Sequence, residues 1–169
     1  MTERLVVIGG DAAGMSAASQ ARRLRGPDEL AILAFERGGF TSYAACGIPY
    51  WIGGLVEERD ALIARTPEVF RDRHDIDVRT RHEVTAIDTD ARTVHVTDLD
   101  TGVEAVHGYD QLLVATGANP VRPPVPGIDA DGVLGVQTLV DGQRVLDALE
   151  ARSPRRAVVI CAGYISRPM

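Results

Sequence analysis

At 169 residues, with 18 basic against 24 acidic side chains and a net charge of −6, the chain is long enough for a sizeable core and carries the wrong sign for nucleic acid or an anionic membrane. Hydrophobic residues make up 45% and aromatics 5%, the balance of an Ala/Val/Leu/Gly-rich α/β protein, and no apolar run is long enough to cross a bilayer. Two cysteines far apart in sequence, with no charged-then-apolar leader, read as cytosolic rather than as a secreted disulfide framework.

Leu5-Val6-Val7-Ile8 is a short β-branched run of the kind expected in a buried parallel strand. It enters Gly9-Gly10-Asp11-Ala12-Ala13-Gly14 and then an Ala-rich helical segment to about Arg25. Strand, glycine turn and helix in that order are the context of a dinucleotide-binding fingerprint. A second strand over residues 30–35 ends at Glu36, whose carboxylate can accept hydrogen bonds from an adenosine ribose. Asp11 departs from the fingerprint, because it stands where backbone normally approaches a pyrophosphate. A carboxylate aimed at phosphate is repelled, so Asp11 must turn away, hold a water or cap the helix. A plain N-cap and a cofactor role are both open at this position.

Next comes Ser42-Tyr43-Ala44-Ala45-Cys46-Gly47-Ile48-Pro49, in which a cysteine sits where a loop turns into a helix. Pro49 suits a first helical turn, and a thiol there feels the positive end of the helix dipole, which favours thiolate. No second cysteine lies within a few residues, so a dithiol is excluded and any redox partner is external: a small thiol, a peroxide or oxygen. The alternative is that Cys46 is a small buried hydrophobe.

Thr66-Pro67-Glu68 starts a capped helix reaching His74, followed by a strand over residues 75–80. Residues 82–88, 93–97 and 103–107 make a small antiparallel meander, with a turn at residues 89–92. Residues 109–115 form another buried strand entering Thr116-Gly117. A Pro-rich connector at residues 122–127 leads to a possible strand at residues 133–137 and a helix over residues 141–151. His74, His82, His95 and His107 lack metal-ligand spacing. Residues 156–160 read as the strand of a second dinucleotide fold, with Cys161 and Ser166 where the first and third glycines of its turn belong.

The glycine turn, Glu36, the Cys46 segment, the Ala115-Thr116-Gly117 strand end and the broken repeat near Cys161 together resemble the N-terminal part of the flavin-dependent pyridine nucleotide-disulfide oxidoreductases. Within them the chain looks most like the single-cysteine branch of coenzyme A disulfide reductases, NADH oxidases and NADH peroxidases. The resemblance implies a Rossmann-like FAD-binding α/β fold, a parallel sheet with an antiparallel meander, over residues 1–120. It implies a connector over residues 121–155 and the start of an NAD(P)-binding domain at residues 156–169. It implies that Gly9, Gly10, Asp11, Ala12, Ala13 and Gly14 line the FAD pyrophosphate, with Glu36 and Arg37 toward the adenosine ribose. Val84 would offer backbone to the adenine, and Ala115, Thr116 and Gly117 would pass close to the flavin. Cys46 would be the redox residue, cycling through a mixed disulfide with coenzyme A or through a sulfenic acid.

Ser16, Gln20 and Arg23 share one face of the first helix at i, i+4 and i+7. By resemblance they and Ser42 match coenzyme A contacts, although in isolation they also read as the solvated stripe of an amphipathic helix. Ala45 and His74 stand where the reductases often carry an asparagine and a lysine. Ala12 and Ala13 stand where peroxidases often carry a histidine. Coenzyme A disulfide is the expected acceptor, with NAD(P)H as donor and a homodimer as the expected assembly of the full-length form. The expectation from the broken second turn is a truncated chain, and a reading of another class is an inactive flavin-fold fragment.

Overall fold

The computed structural model describes residues 2–160. The elements are β1 (Glu3–Ile8), α1 (Ala12–Leu24), β2 (Leu30–Glu36), α2 (Ile48–Ile52), α3 (Pro67–His74), β3 (Ile76–Thr80), β4 (His82–Asp88), β5 (Thr93–Asp98), β6 (Glu104–Gly108), β7 (Gln111–Val114) and α4 (Leu139–Arg152). Among the described residues they divide between two compact units, residues 2–43 with 63–117 and residues 44–62 with 118–160.

In the first unit β3, β2, β1 and β7 form a parallel sheet in that order. The apolar run of β1 is explained by burial on both faces. Leu5 and Val7 pack with Met15 and Ala18 of α1, Phe70 of α3, and Ile76 and Val78 of β3. Val6 and Ile8, pointing the other way by strand alternation, pack with Leu33, Phe35, Val94 and Val96. The second face is covered by the antiparallel sheet β4-β5-β6, the meander expected from its period-two pattern. Thr66 caps α3, its hydroxyl accepting from the Val69 N–H, and Pro67 opens the helix as its missing donor allows.

In the second unit, α4 begins at Leu139, earlier than the sequence suggests. Thr138 and Asp141 form a reciprocal capping box, so Asp141 lies inside the first turn. Ile48 and Trp51 of α2 pack against α4 at Gly142, where a Cβ would lie 2.8 Å from the Trp51 ring and 3.0 Å from the Ile48 side chain.

The α/β class, with a parallel sheet and a separate meander, agrees with the sequence reading. Two expected strands are absent. Residues 133–137 and 156–160 have no ladder partner among the described residues, and a β-branched run without a neighbouring strand has nowhere to place its backbone hydrogen bonds. The turn expected at Cys161, Gly163 and Ser166 lies outside the described residues.

Gly142→Ala tests the α2–α4 contact. Alanine gains roughly 1 kcal/mol of helix propensity, but forcing a methyl against a rigid ring costs about 1–3 kcal/mol. The net expectation is a lower denaturation midpoint, read from the fluorescence of Trp51, the single tryptophan. His107 supplies a pH test. Its ring lies 5.0 Å from Phe35, and its pKa is lowered by burial first and then by the charges of Arg79, Arg4 and His82. A histidine depressed in the fold contributes no penalty above its unfolded pKa of about 6.5 and costs stability as pH falls below it. Urea titrations between pH 7.5 and 5.5 should show stability falling with pH, and His107→Gln should flatten that slope.

Candidate dinucleotide and thiol sites

The carboxyl end of β1 meets α1 and β7 at very close range. The Gly9 N–H donates to the Phe35 carbonyl and the Ala115 N–H to the Ile8 carbonyl, each at 2.8 Å. Gly9 has φ +115°, and a Cβ there would collide with the Ala115 carbonyl oxygen; a Cβ on Gly14 would collide with the Gly9 carbonyl oxygen. A Cβ on Gly10 would come within 2.7 Å of the Glu36 Cβ. Glycine is therefore required at all three positions by the packing of the turn itself.

Glu36 at the end of β2 accepts from two backbone donors, Gly10 N–H at 2.7 Å and Gly38 N–H at 2.6 Å. A carboxylate has about four acceptor positions, so two such bonds orient it and leave capacity for ligand hydroxyls. Asp11 occupies the N-cap position of α1 without capping by its side chain. Its Oδ1 instead accepts from the Tyr43 N–H at 3.2 Å. The carboxylate turns away, as one of the sequence alternatives allowed, and the side-chain N-cap alternative is overturned. Burial pushes its pKa above the usual value. The backbone donors of Tyr43 and Ala12 pull it back, and Glu36 adds a smaller upward push.

The helix end that results has no side-chain cap and no acidic residue in its first turn, while Ala12 and Ala13 are exposed. A glycine turn without room for Cβ atoms, leading to an uncapped helix N-terminus, fits the pyrophosphate of a dinucleotide such as FAD. The flanking residues lie in the same unit. Arg37 is exposed, its guanidinium 3.9 Å from the Glu83 carboxylate. Half-buried Val84 pairs with Val96 beside a bulge in β4. Thr116 and Gly117 are exposed just beyond β7, with Gly117 at φ +67°.

A pocket of about 170 Å³ opens on the other side of α1. Ser16 and Arg23 line it from the helix and Ser42 from the loop. Ser42 is held at φ +46°, its N–H donating to the Gly10 carbonyl and its own carbonyl accepting from the Ala64 N–H. Gln20 is exposed on the same helix and accepts from Arg23 Nη1 at 3.3 Å, but does not line the pocket. His74, at the position where the reductases often carry a lysine, packs against Phe70 with ring centroids 6.1 Å apart and lies outside the pocket. Sequence reasoning missed the polar lining residues Ser19 and Arg65 and the apolar ones Met15 and Phe70. A basic residue directly before the Thr66 cap was the available signal for Arg65.

Cys46 belongs to the second unit. It sits in a short 3-10 turn, Ala45–Gly47, that runs directly into α2. Gly47 approaches Leu62 too closely for a Cβ, which fixes the turn. Cys46 is exposed, so the buried-hydrophobe alternative is overturned. Among the described residues no group of three or more His, Cys, Asp or Glu could hold a metal ion, and no helix is long and apolar enough to cross a membrane.

The sequence profile described as "Pyridine nucleotide-disulphide oxidoreductase" matches residues 3–167, and the chain belongs to that family. It is 36% identical over 167 residues to an NADH oxidase of Methanocaldococcus jannaschii, covering 98% of this chain and 36% of the relative. It is also 36% identical over 163 residues to a coenzyme A disulfide reductase of Staphylococcus haemolyticus, covering 96% and 36%. Among solved structures it is similar to the water-forming NADH oxidase from Lactobacillus brevis bound to NADH. That match has a TM-score of 0.88 at 31% identity and covers 99% of this chain and 36% of that one. The chain thus spans 36% of the length of these curated relatives.

Asp11→Asn isolates the half-buried carboxylate. The amide oxygen can still accept from Tyr43 while the charge is gone. The variant is expected to be at least as stable as the parent at pH 7. The gap should close as pH falls through the raised folded pKa, where Asp11 itself becomes neutral. Asp11→Ala leaves the Tyr43 N–H without its acceptor and should lose roughly 1–3 kcal/mol. Denaturant titrations of the three proteins at pH 7 and pH 4.5 check both expectations.

Proposed function

We propose that this chain is the FAD-binding portion of an NAD(P)H-dependent flavoprotein disulfide reductase, with coenzyme A disulfide as electron acceptor and Cys46 as the redox residue. The relatives do not choose between acceptors, since an NADH oxidase and a coenzyme A disulfide reductase match at the same identity. The observation that carries the choice is the pocket in which Ser16, Arg23 and Ser42 converge. Hydroxyls and a guanidinium suit the phosphates of coenzyme A, whereas peroxide and oxygen need no such receptor.

FAD, when bound, relays two electrons between nicotinamide and cysteine sulfur. The residues that would hold it are Gly9, Gly10, Ala12, Ala13 and Gly14 at the pyrophosphate and Glu36 and Arg37 at the ribose. Val84 would lie toward the adenine, and Ala115, Thr116 and Gly117 toward the ring. Asp11 serves this site indirectly, by directing its charge onto the Tyr43 N–H. The exposed sulfur of Cys46 is open to a bulky disulfide. Its thiolate attacks one sulfur of coenzyme A disulfide, forming the mixed disulfide and releasing one coenzyme A thiolate. This half-reaction needs no added reductant, so it is open to the chain alone even if turnover belongs to a longer protein.

A second reading, in which peroxide or oxygen converts Cys46 to a sulfenic acid, is favoured by the NADH oxidase relatives. Mass spectrometry of the chain mixed with coenzyme A disulfide or glutathione disulfide separates these readings. The expected result is one coenzyme A adduct on Cys46, formed at least about tenfold faster than the glutathione adduct and absent from Cys46→Ser. Equal rates with both disulfides would remove the coenzyme A assignment. A dimedone-trapped sulfenic acid under peroxide, with no coenzyme A adduct, would favour the second reading. Paired flavin absorption bands retained through gel filtration after mixing with FAD check the cofactor assignment.

A further inference from the structure

Ser19 lies on the inner side of α1 and is 7% exposed. Its hydroxyl finds no hydrogen-bond partner among the described residues. A buried polar group without a partner is destabilising, and native structures seldom retain one without a reason. Ser19 borders the pocket that also receives Ser16, Arg23 and Ser42, and Arg65 completes the wall. The Arg65 guanidinium is carried over the face of buried Phe70, 5.9 Å from the ring centroid. A guanidinium over an aromatic face within about 6 Å is attracted to the ring without being neutralised.

Charge around the pocket is one-sided. No carboxylate lines it, and neither Arg23 nor Arg65 forms an ion pair among the described residues. In a chain of net charge −6, two unpaired guanidiniums and three serine hydroxyls at one small cavity make a local receptor for an anion. The volume, about 170 Å³, is below the roughly 300–1,000 Å³ of pockets that enclose a whole organic ligand. The cavity therefore suits the end of a ligand. A terminal phosphate monoester carries about −1.5 to −2 charges near neutral pH, which two guanidiniums match.

We propose that Arg65 is a specificity-determining residue, which with Arg23 clamps a terminal phosphate monoester in this pocket. Resting on the coenzyme A reading above, that group is the 3′-phosphate, the one phosphate of coenzyme A that ends a branch.

The test is calorimetric titration of the 169-residue chain and its Arg65→Gln and Arg65→Lys variants with three probes. These are coenzyme A, dephospho-coenzyme A (which lacks the 3′-phosphate) and adenosine 3′,5′-bisphosphate. Arg65 is exposed, so the variants should fold, and matching denaturation midpoints verify it. The parent should bind coenzyme A about 10- to 100-fold more tightly than dephospho-coenzyme A, the worth of a charge-assisted contact. Arg65→Gln should erase that difference without weakening dephospho-coenzyme A, and Arg65→Lys should restore part of it by keeping the charge but not the planar fork. Coenzyme A binding that ignores both the 3′-phosphate and Arg65 overturns the proposal and leaves the coenzyme A reading standing. Equal weakening of coenzyme A and dephospho-coenzyme A in Arg65→Gln overturns it as well. Arg65-dependent binding of the bisphosphate without binding of coenzyme A supports the phosphate clamp and removes the coenzyme A reading. Failure of the parent to bind any probe overturns both.

Discussion

Lack of space for a Cβ at one junction governs the first unit. β1 ends, α1 begins and β7 departs within a volume that admits only backbone at Gly9 and Gly14. Because the Gly9 carbonyl sits directly against Gly14, the first turn of α1 is drawn tightly onto the end of β1. Because Gly9 also faces the Ala115 carbonyl, the exit of β7 is fixed to the same point. With β2 and β7 both paired in parallel to β1, the apolar register of the whole sheet follows from this corner. The same closeness draws in a helix whose first turn has neither a side-chain cap nor an acidic residue.

Around that corner the chain inverts its own overall charge. It is acidic, yet its two nearby carboxylates are directed to backbone donors: Glu36 to Gly10 and Gly38, Asp11 to Tyr43. Beside α1, Arg23 and Arg65 line one pocket and form no ion pair among the described residues. Carboxylates bonded to backbone donors, beside guanidiniums outside any ion pair among the described residues, leave the charge of an anionic protein unevenly distributed. Hydrogen bonding, more than residue count, decides where this protein is positive.

How much of this was legible depends on the range of the interaction involved. β1 and β2 could be read because burial on both faces writes a continuous apolar run, and α3 because Thr66 and Pro67 act within one turn. Glycines 9, 10 and 14 could be read because their spacing is local. The partner of Asp11 could not, since Tyr43 arrives from a distant part of the chain. Ser19 looked like any small residue of an Ala-rich helix, and its lack of a partner appears only once the sheet and α3 are packed. Arg65 needed the position of Phe70 to acquire meaning. Residues 133–137 and 156–160 carried strand-like composition, but composition cannot provide the neighbouring strand that a ladder requires.

The segment bearing Cys46 leaves and returns through a narrow stem. Tyr43 bridges Ile63, the Ala44 N–H donates to the Leu62 carbonyl, and the Ala64 N–H donates to the Ser42 carbonyl, the last two at 2.8 Å. With both ends joined, residues 44–62 form a closed excursion whose entropy of closure grows only slowly with length, by about 0.6 kcal/mol per doubling. The exposed Cys46 is thereby carried on a cassette. Its interior can lengthen or shorten at small entropic cost while the stem stays joined, so sequence change is tolerated most cheaply in this part of the chain.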